Sequence, residues 1–242
     1  MTPTLQEYLK AFARLKRCVP PYVLAPDKPA QLLSLIEQID NGLVTNNNQF
    51  EVNADLVATF KENWLLLVQT LHQENFAQPF YYLQSEKAEG KPYWLIQSNL
   101  GMQINAHIKS ATRLSETCAF GCFDSELFEL LTAPVTGAMA SNFILNTYFA
   151  NEKPGFLEAK YNGKGYLHDQ EEFILNERQG IYKKVIINTE EDVFVRNGLF
   201  KKLVPKIYNY QCSFTGMQLS STFNHSFVDA CHIVPFNQTQ ND

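Results

Sequence analysis

Residues 28–41, KPAQLLSLIEQIDN, set the tightest constraint on the fold. Pro29 suits the first turn of a helix, where its missing N–H is no loss, and Asn41-Gly42 makes a good C-cap. Between them Leu32, Leu33, Leu35, Ile36 and Ile39 form a broad apolar face. A helix with so wide a face has to be covered by other elements. The flanks supply them. Residues 4–17 read as a helix with Leu5, Tyr8, Leu9, Phe12 and Leu15 at helical spacing and Thr4 as N-cap, ended by the prolines of CVPPYVLAP. After a polar loop over Thr45 to Gln49, residues 54–73 form a third helix around Leu56, Phe60, Trp64, Leu67, Val68 and Leu71. Three helices in succession predict a small bundle.

The pattern then changes. Pro79 to Leu83 and Tyr93 to Ile96, aromatic and β-branched, flank the charged turn SEKAEGK and predict a β-hairpin. Residues 124–131 and 134–149 return to helix. Residues 151–165, with Pro154, Gly155, Gly163 and Gly165, read as a linker. The next stretch predicts a short helix near Glu171 to Gln179 and a strand at Lys183 to Ile187. Phe194 to Tyr210 reads as a helix with Phe200, Leu203, Val204 and Ile207 inward and its lysines outward. Pro205 costs about 3 kcal/mol in a helix interior, so a kink or an early end is expected. A short strand entering a glycine turn at Cys212 to Gly216, and a second strand over Ser226 to Pro235, complete a hairpin behind that basic helix.

Composition narrows the function classes. The chain has 242 residues, 45% hydrophobic and 19% charged, with eleven prolines, which describes a globular protein long enough for two domains. The first residues carry charges where a signal peptide needs an apolar core, and no apolar run approaches the roughly 18 residues of a membrane span, so a cytoplasmic location is expected. Five cysteines without a CxxC argue against a disulfide framework. The net charge of −5 hides local excesses of the opposite sign. From Val193 to Val228 there are Arg196, Lys201, Lys202 and Lys206 and no Asp or Glu, and Lys10, Arg14, Lys16 and Arg17 cluster near the start. Each patch is either a phosphate-facing surface or a solvated helix face.

His232 lies in FVDACHIVPF, a strand-like run in which an isolated histidine is ordinarily a core residue. Its surroundings suggest more. The segment VRNGLFKKLVPKIYNYQCSFTGMQLSSTFNHSFVDACHIVPF, residues 195–236, resembles the HNH endonucleases of restriction systems. There a helix of the form F-(R/K)-x-x-V-x-x-x-Y precedes C-x-x-T-G, and A-x-H-I-x-P follows. Phe200, Lys201, Val204, Tyr208, Cys212, Thr215, Gly216, Ala230, His232, Ile233 and Pro235 fill those positions. The resemblance implies a ββα-metal site that hydrolyses phosphodiester bonds with a divalent metal such as Mg or Mn. It makes His232 the general base that activates water, and places Asp242 at the aspartate that precedes the signature asparagine, as a metal-site residue. It also implies that the asparagine, the final histidine and their helix follow Asp242, so the 242 residues are expected to be a catalytically incomplete fragment. Cys231, beside the base, reads as a buried thiol.

The N-terminal half carries a second resemblance. LAPDKPAQLLSLIEQIDNG, then a tryptophan, PFYYL and YWLI, is similar to the sulfur-binding domain of HNH enzymes that recognise phosphorothioate-modified DNA, over roughly residues 5–149. That family begins its helix A-P-H-(K/R)-P-x-x-L-L-x-L and lines its pocket with a later tyrosine-proline pair. Lys28 fills the basic position and Pro79 the proline; Asp27 stands in place of the histidine and Gln78 in place of the tyrosine. Asp27, just before a Lys-Pro helix start, also suits a capping role.

Other candidates carry less. Cys118 and Cys122 lack further zinc ligands, Cys212 and Cys231 lack a second pair, and His72, His107, His168 and His225 have no partner at ligand spacing. Tyr81, Tyr82, Tyr93 and Trp94 could stack on a displaced base or form hairpin core. The expected organisation is α+β: a DNA-recognition domain over 1–150, helical with a β-hairpin; a linker and poorly legible segment over 151–190; and the front of an HNH nuclease domain over 191–242. The expected function is a modification-sensing restriction endonuclease acting on double-stranded DNA, commonly as a homodimer in such enzymes. Asp27, Lys28, Gln78, Pro79, Arg14, Arg17, Arg196, Lys201 and Lys202 are its DNA-facing candidates. The alternative is a DNA-binding or regulatory protein whose HNH remnant is structural.

Overall fold

The computed structural model describes residues 4–17, 24–45, 47–162, 165, 166, 168–170, 172, 189–212, 214–218 and 230. The elements are α1 (Leu5–Phe12), α2 (Asp27–Asp40), α3 (Ala54–Leu67), α4 (Ala77–Tyr82) with a 3-10 turn at Leu83–Ser85, β1 (Lys87–Ala88), β2 (Lys91–Pro92), β3 (Trp94–Ser98), α5 (Ala111–Thr117), β4 (Cys118–Phe123), α6 (Ser125–Thr132), α7 (Pro134–Tyr148), α8 (Lys153–Tyr161) and α9 (Glu190–Ile207). The fold is mixed α+β and mostly helical, with two small antiparallel sheets. Among the described residues no single helix is long and apolar enough to cross a membrane.

Helix α2 is the axis. Every residue from Lys28 to Ile39 except Glu37 is buried, and α3, α4, α6 and α7 pack around it. Its end follows the expected chemistry: Gly42 takes φ +68°, its N–H donates to Ile39 O, and the Leu43 N–H donates to Gln38 O, each at 2.9 Å. These two hydrogen bonds around a left-handed residue close the last turn and give the Gln38 and Ile39 carbonyls donors. The start of α1 follows expectation too, with Thr4 and Glu7 forming a capping box. Helix α1 ends at Phe12 and α3 at Leu67, both short of the expected 17 and 73.

The strands predicted at 79–83 and 93–96 do not pair with each other; the hairpin in this range is the two-residue pair β1 and β2, with Lys87 opposite Pro92. Pro79 to Tyr82 belong to α4, because Phe76, Phe80 and Leu83 recur at helical spacing and are all buried, and Pro79 sits in the first turn where no N–H is missed. The strand at Trp94 is real, but its partner is β4: Trp94 faces Phe123, Ile96 faces Gly121, and the register slips between Gln97 and Ser98. Trp94 is the hub of the packing here, with Phe50, Phe80 and Phe123 rings 5.1–5.5 Å away and its indole N–H donating to Phe80 O at 3.0 Å. Gly121 is required beside it, since a β-carbon there would lie 2.2 Å from the Trp94 ring.

Residues 151–165, expected as a linker, contain α8, whose Phe156 is buried and whose Lys160 pairs with Glu37 and Glu62 at 2.6 and 3.2 Å. Helix α9 packs on α3, and Val195 and Leu199 join the same apolar core as α2 and α3. Gly198 permits the approach: a β-carbon there would lie 2.5 Å from that of Ala54. The helix starts at Glu190, four residues before the predicted start, because Thr189 and Asp192 form a capping box. It also runs two residues past Pro205 and then closes on left-handed Asn209, with the Tyr210 N–H donating to Pro205 O at 2.8 Å and the Asn209 N–H to Lys206 O at 3.0 Å. The helix and strand expected over 171–187 and the strand over 226–235 lie outside the described residues but for single positions.

Candidate nucleic-acid interface

The cations expected to face DNA fall into two groups. On the N-terminal side Lys28 is inside the protein. Its ammonium donates to Glu86, and the two side chains are only 7% and 5% exposed. Glu86 also accepts the Lys16 backbone N–H at 3.1 Å, while the Lys16 ammonium donates to Ser85 O at 3.2 Å. A buried ion pair is neutral from outside, so Lys28 does not provide the phosphate contact expected of it. Asp27 is the first residue of α2 and partly exposed; the N-cap position belongs to Pro26, and no side chain caps it, which corrects the capping role.

Gln78 and Pro79 sit in the first turn of α4, which packs against α2. Pro79 is buried. Gln78 spends its amide on the backbone, donating to Ile108 O at 3.2 Å and Ala106 O at 3.4 Å, so it anchors the loop before α5. The Arg17 guanidinium carbon lies over the Tyr148 ring, 4.6 Å from its centre, and Arg14 is exposed. Tyr93 and Trp94 are fully buried, which makes them core and not a base platform. Burial, with the Glu86 carboxylate nearby, holds the Tyr93 hydroxyl well above the usual phenol range.

On the C-terminal side Arg196 is 1% exposed. It faces inward from α9, not toward a phosphate backbone, because positions 195, 196, 199 and 200 form the buried stripe of that helix. Lys202 is exposed but donates to both carboxylate oxygens of Asp55 at 2.9 Å. Lys201 and Lys206 are exposed, and among the described residues neither has an ion-pair partner. His232 and Asp242 lie outside the described residues.

Residues not singled out from sequence hold α9 in place. The Lys61 ammonium, from buried α3, reaches Glu74 at 3.0 Å, Thr189 Oγ1 at 3.1 Å and Asp192 at 3.2 Å, and the Tyr166 hydroxyl donates to Asp192 at 2.7 Å. Burial pushes the Glu74 carboxyl up despite the Lys61 charge. Asp192 is also penalised by burial, yet the Tyr166 hydroxyl and Lys61 keep it below the usual carboxylate range. The T-x-x-D pattern at Thr189 was the available signal for this helix start; nothing local in the sequence pointed Lys61 at it.

Beyond α9 the CSFTG segment forms a closed turn. The Cys212 N–H donates to Met217 O at 2.9 Å, the Gly216 N–H donates to Cys212 O at 2.8 Å, and Gly216 takes φ +67°. Hydrogen bonds from Thr215 hold the Cys212 thiol below the usual range. Among the described residues one grouping of metal-ligating types, His168, Asp169 and Glu172, brings its ligand atoms within 4.8 Å of one another, so His168 has neighbours that its reading from sequence did not find. All three are exposed, and helical i, i+4 spacing brings His168 and Glu172 together without a cation. No protein-family model matches the chain, and no curated protein matches it.

Proposed function

We propose that the chain is a DNA-binding protein of the HNH nuclease type, with His232 as general base and the exposed end of α9 meeting the phosphate backbone. The observation that carries this reading is the run from α9 into the Cys212–Met217 turn. A helix whose last two turns are basic ends on a left-handed cap and leads into a turn closed between Cys212 and Gly216–Met217, in the sequence order of the HNH resemblance. A nuclease needs a rigid frame that sets a base against the scissile phosphate, and a helix held to the core by apolar packing and the Lys61–Asp192 ion pair supplies such a frame. The divalent metal and the residues that would hold it, Asp242 among them, rest on the resemblance alone; beside the turn the described residues offer no ligand set.

The N-terminal part of the proposal is narrower than the sequence resemblance implied. With Lys28 neutralised by Glu86 and Gln78 bonded to backbone, discrimination of a modified phosphate would rest on Asp27, Arg14 and Arg17. A gel shift comparing phosphorothioate, methylated and plain duplexes tests it, and equal affinity for all three removes modification sensing. The nuclease assignment is tested by DNA cleavage with Mg or Mn, using the protein expressed from its complete reading frame. His232→Ala is expected to abolish cutting and leave duplex affinity unchanged; cutting at the wild-type rate would remove His232 from the role of base.

A further inference from the structure

The turn after α9 presents its apolar side chains to water. Phe214, at its tip, is 84% exposed, and Met217 is 55% exposed. These are not ends of a loose strand. The two backbone hydrogen bonds between Cys212 and Gly216–Met217 close the turn, and the Gln218 side-chain amide donates to Asn209 O at 3.2 Å, tying the turn back to the cap of α9. Asn209 and Tyr210 both hold left-handed backbone, φ +50° and +55°, a conformation unfavourable for a bulky residue that the cap's hydrogen bonds maintain. Phe214 is thus displayed on a braced support, with its ring free.

The chain leading into and out of the turn carries charge of one sign. No Asp or Glu occurs between Val193 and Val228. Lys201 and Lys206, on the last two turns of α9, are exposed without an ion-pair partner among the described residues, and the acidic Asp55 is already matched by Lys202. An exposed aromatic ring on a hydrogen-bonded turn, with lysines lacking an ion-pair partner among the described residues on the helix that leads into it, complements a polyanion that also offers flat apolar faces. Nucleic acid combines the two: phosphates attract the lysines, and a base offers a face to the ring.

We propose that Phe214 is a wedge that stacks on a base of duplex DNA while Lys201 and Lys206 engage the flanking phosphates. This rests on the reading of the chain as a DNA-binding protein and adds the contact that would distort the duplex. The test is fluorescence titration of a duplex carrying a fluorescent adenine analogue, with anisotropy read in parallel. Wild-type protein is expected to bind and to change the analogue's emission. Phe214→Ala is expected to weaken binding about tenfold and lose the emission change, since base–aromatic stacking is worth roughly 1–3 kcal/mol and about 1.4 kcal/mol is a factor of ten. Its salt dependence should be unaltered. Phe214→Trp is expected to keep both affinity and signal, and Lys201→Ala with Lys206→Ala to reduce the logarithmic salt slope by about 0.9 per lysine. Wild-type affinity and emission in Phe214→Ala, or loss of both in Phe214→Trp, would overturn the wedge while DNA binding stands. Failure of the wild-type protein to bind the duplex even at low salt would overturn both.

Discussion

Lys28 and Lys201 are both helical lysines next to an apolar residue, Pro29 and Phe200, yet they belong to opposite kinds of surface. Lys28 lies in the first turn of α2, a helix buried along almost its whole length, and its charge is cancelled inside the protein by Glu86. Lys201 stands on the outer face of α9, a helix covered on one side, and its charge is open to solvent. The same division runs through the other cations: Lys61 and Arg196 are buried, Lys206 is exposed. A lysine's place in a charge cluster along the chain says little about whether it can meet a phosphate. What decides is how many neighbouring elements cover its helix.

Removing one partner of the buried Lys28–Glu86 pair has the largest expected effect. Glu86→Ala leaves the Lys28 ammonium buried without its carboxylate and is expected to cost about 3–5 kcal/mol, read as a lower urea midpoint. Replacing both, Lys28→Met with Glu86→Leu, should recover most of that loss, because two apolar side chains need no mutual neutralisation. If Glu86→Ala instead unfolds with the wild-type midpoint, Lys28 reaches water and belongs with Lys201. Arg196→Ala is next, at about 2–4 kcal/mol, through lost packing of a long buried side chain on the inner face of α9. Lys201→Ala in the same assay should lie within about 0.5 kcal/mol of wild type.

The helices that carry strong punctuation were legible. Pro29 with Asn41-Gly42, and Thr4 ahead of an apolar period, fixed both ends of α2 and the start of α1 because those signals act through a few local backbone bonds. The segment PFYYL was misread since a short aromatic run has no period of its own; its helical state follows from burying Phe76, Phe80 and Leu83 together against α2 and Trp94. Of the candidate site, the order helix, C-x-x-T-G and glycine turn could be read directly, because Gly216 acts through local backbone geometry, whereas the start of α9 at Glu190 and its passage beyond Pro205 were not. Burial of Lys28 and Arg196 could not, as their partners and covering elements are distant in sequence: Glu86 is 58 residues from Lys28.

The charged clasp at Lys61 separates the two regions by pH. Glu74 is held above its ordinary value, so its ionised form is the less favoured one in the folded protein; its contribution falls as pH rises from about the unfolded carboxylate value, near 4.3, through the raised one. Asp192 is held below, so its contribution is present above the unfolded value, near 3.9, and is lost as pH falls through the lowered one. Urea unfolding across the acid range should therefore show stability rising on initial acidification from neutral on account of Glu74, then falling as Asp192 protonates. Glu74→Gln should remove the first limb and keep the second. A Glu74→Gln profile identical to wild type would mean that Glu74 titrates as an exposed carboxylate, and that the clasp is open to solvent like the far end of α9.

The smallest effect concerns the neighbours Lys201 and Lys202. Both are exposed on α9, but only Lys202 bridges to α3, through two contacts to Asp55. An ion pair so placed contributes about 0.2–1 kcal/mol and is screened by salt, so Lys202→Ala should destabilise by that amount at low ionic strength and by less at high. Lys201→Ala should show neither loss nor salt dependence of stability. Duplex affinity should rank them in reverse: removing Lys201 is expected to take about 0.9 from the salt slope, while Lys202, engaged by Asp55, takes less. Equal changes in both assays would mean that the Asp55 pair does not persist in solution, and Lys202 would then join Lys201 and Lys206 as a free cation at the same end of the helix.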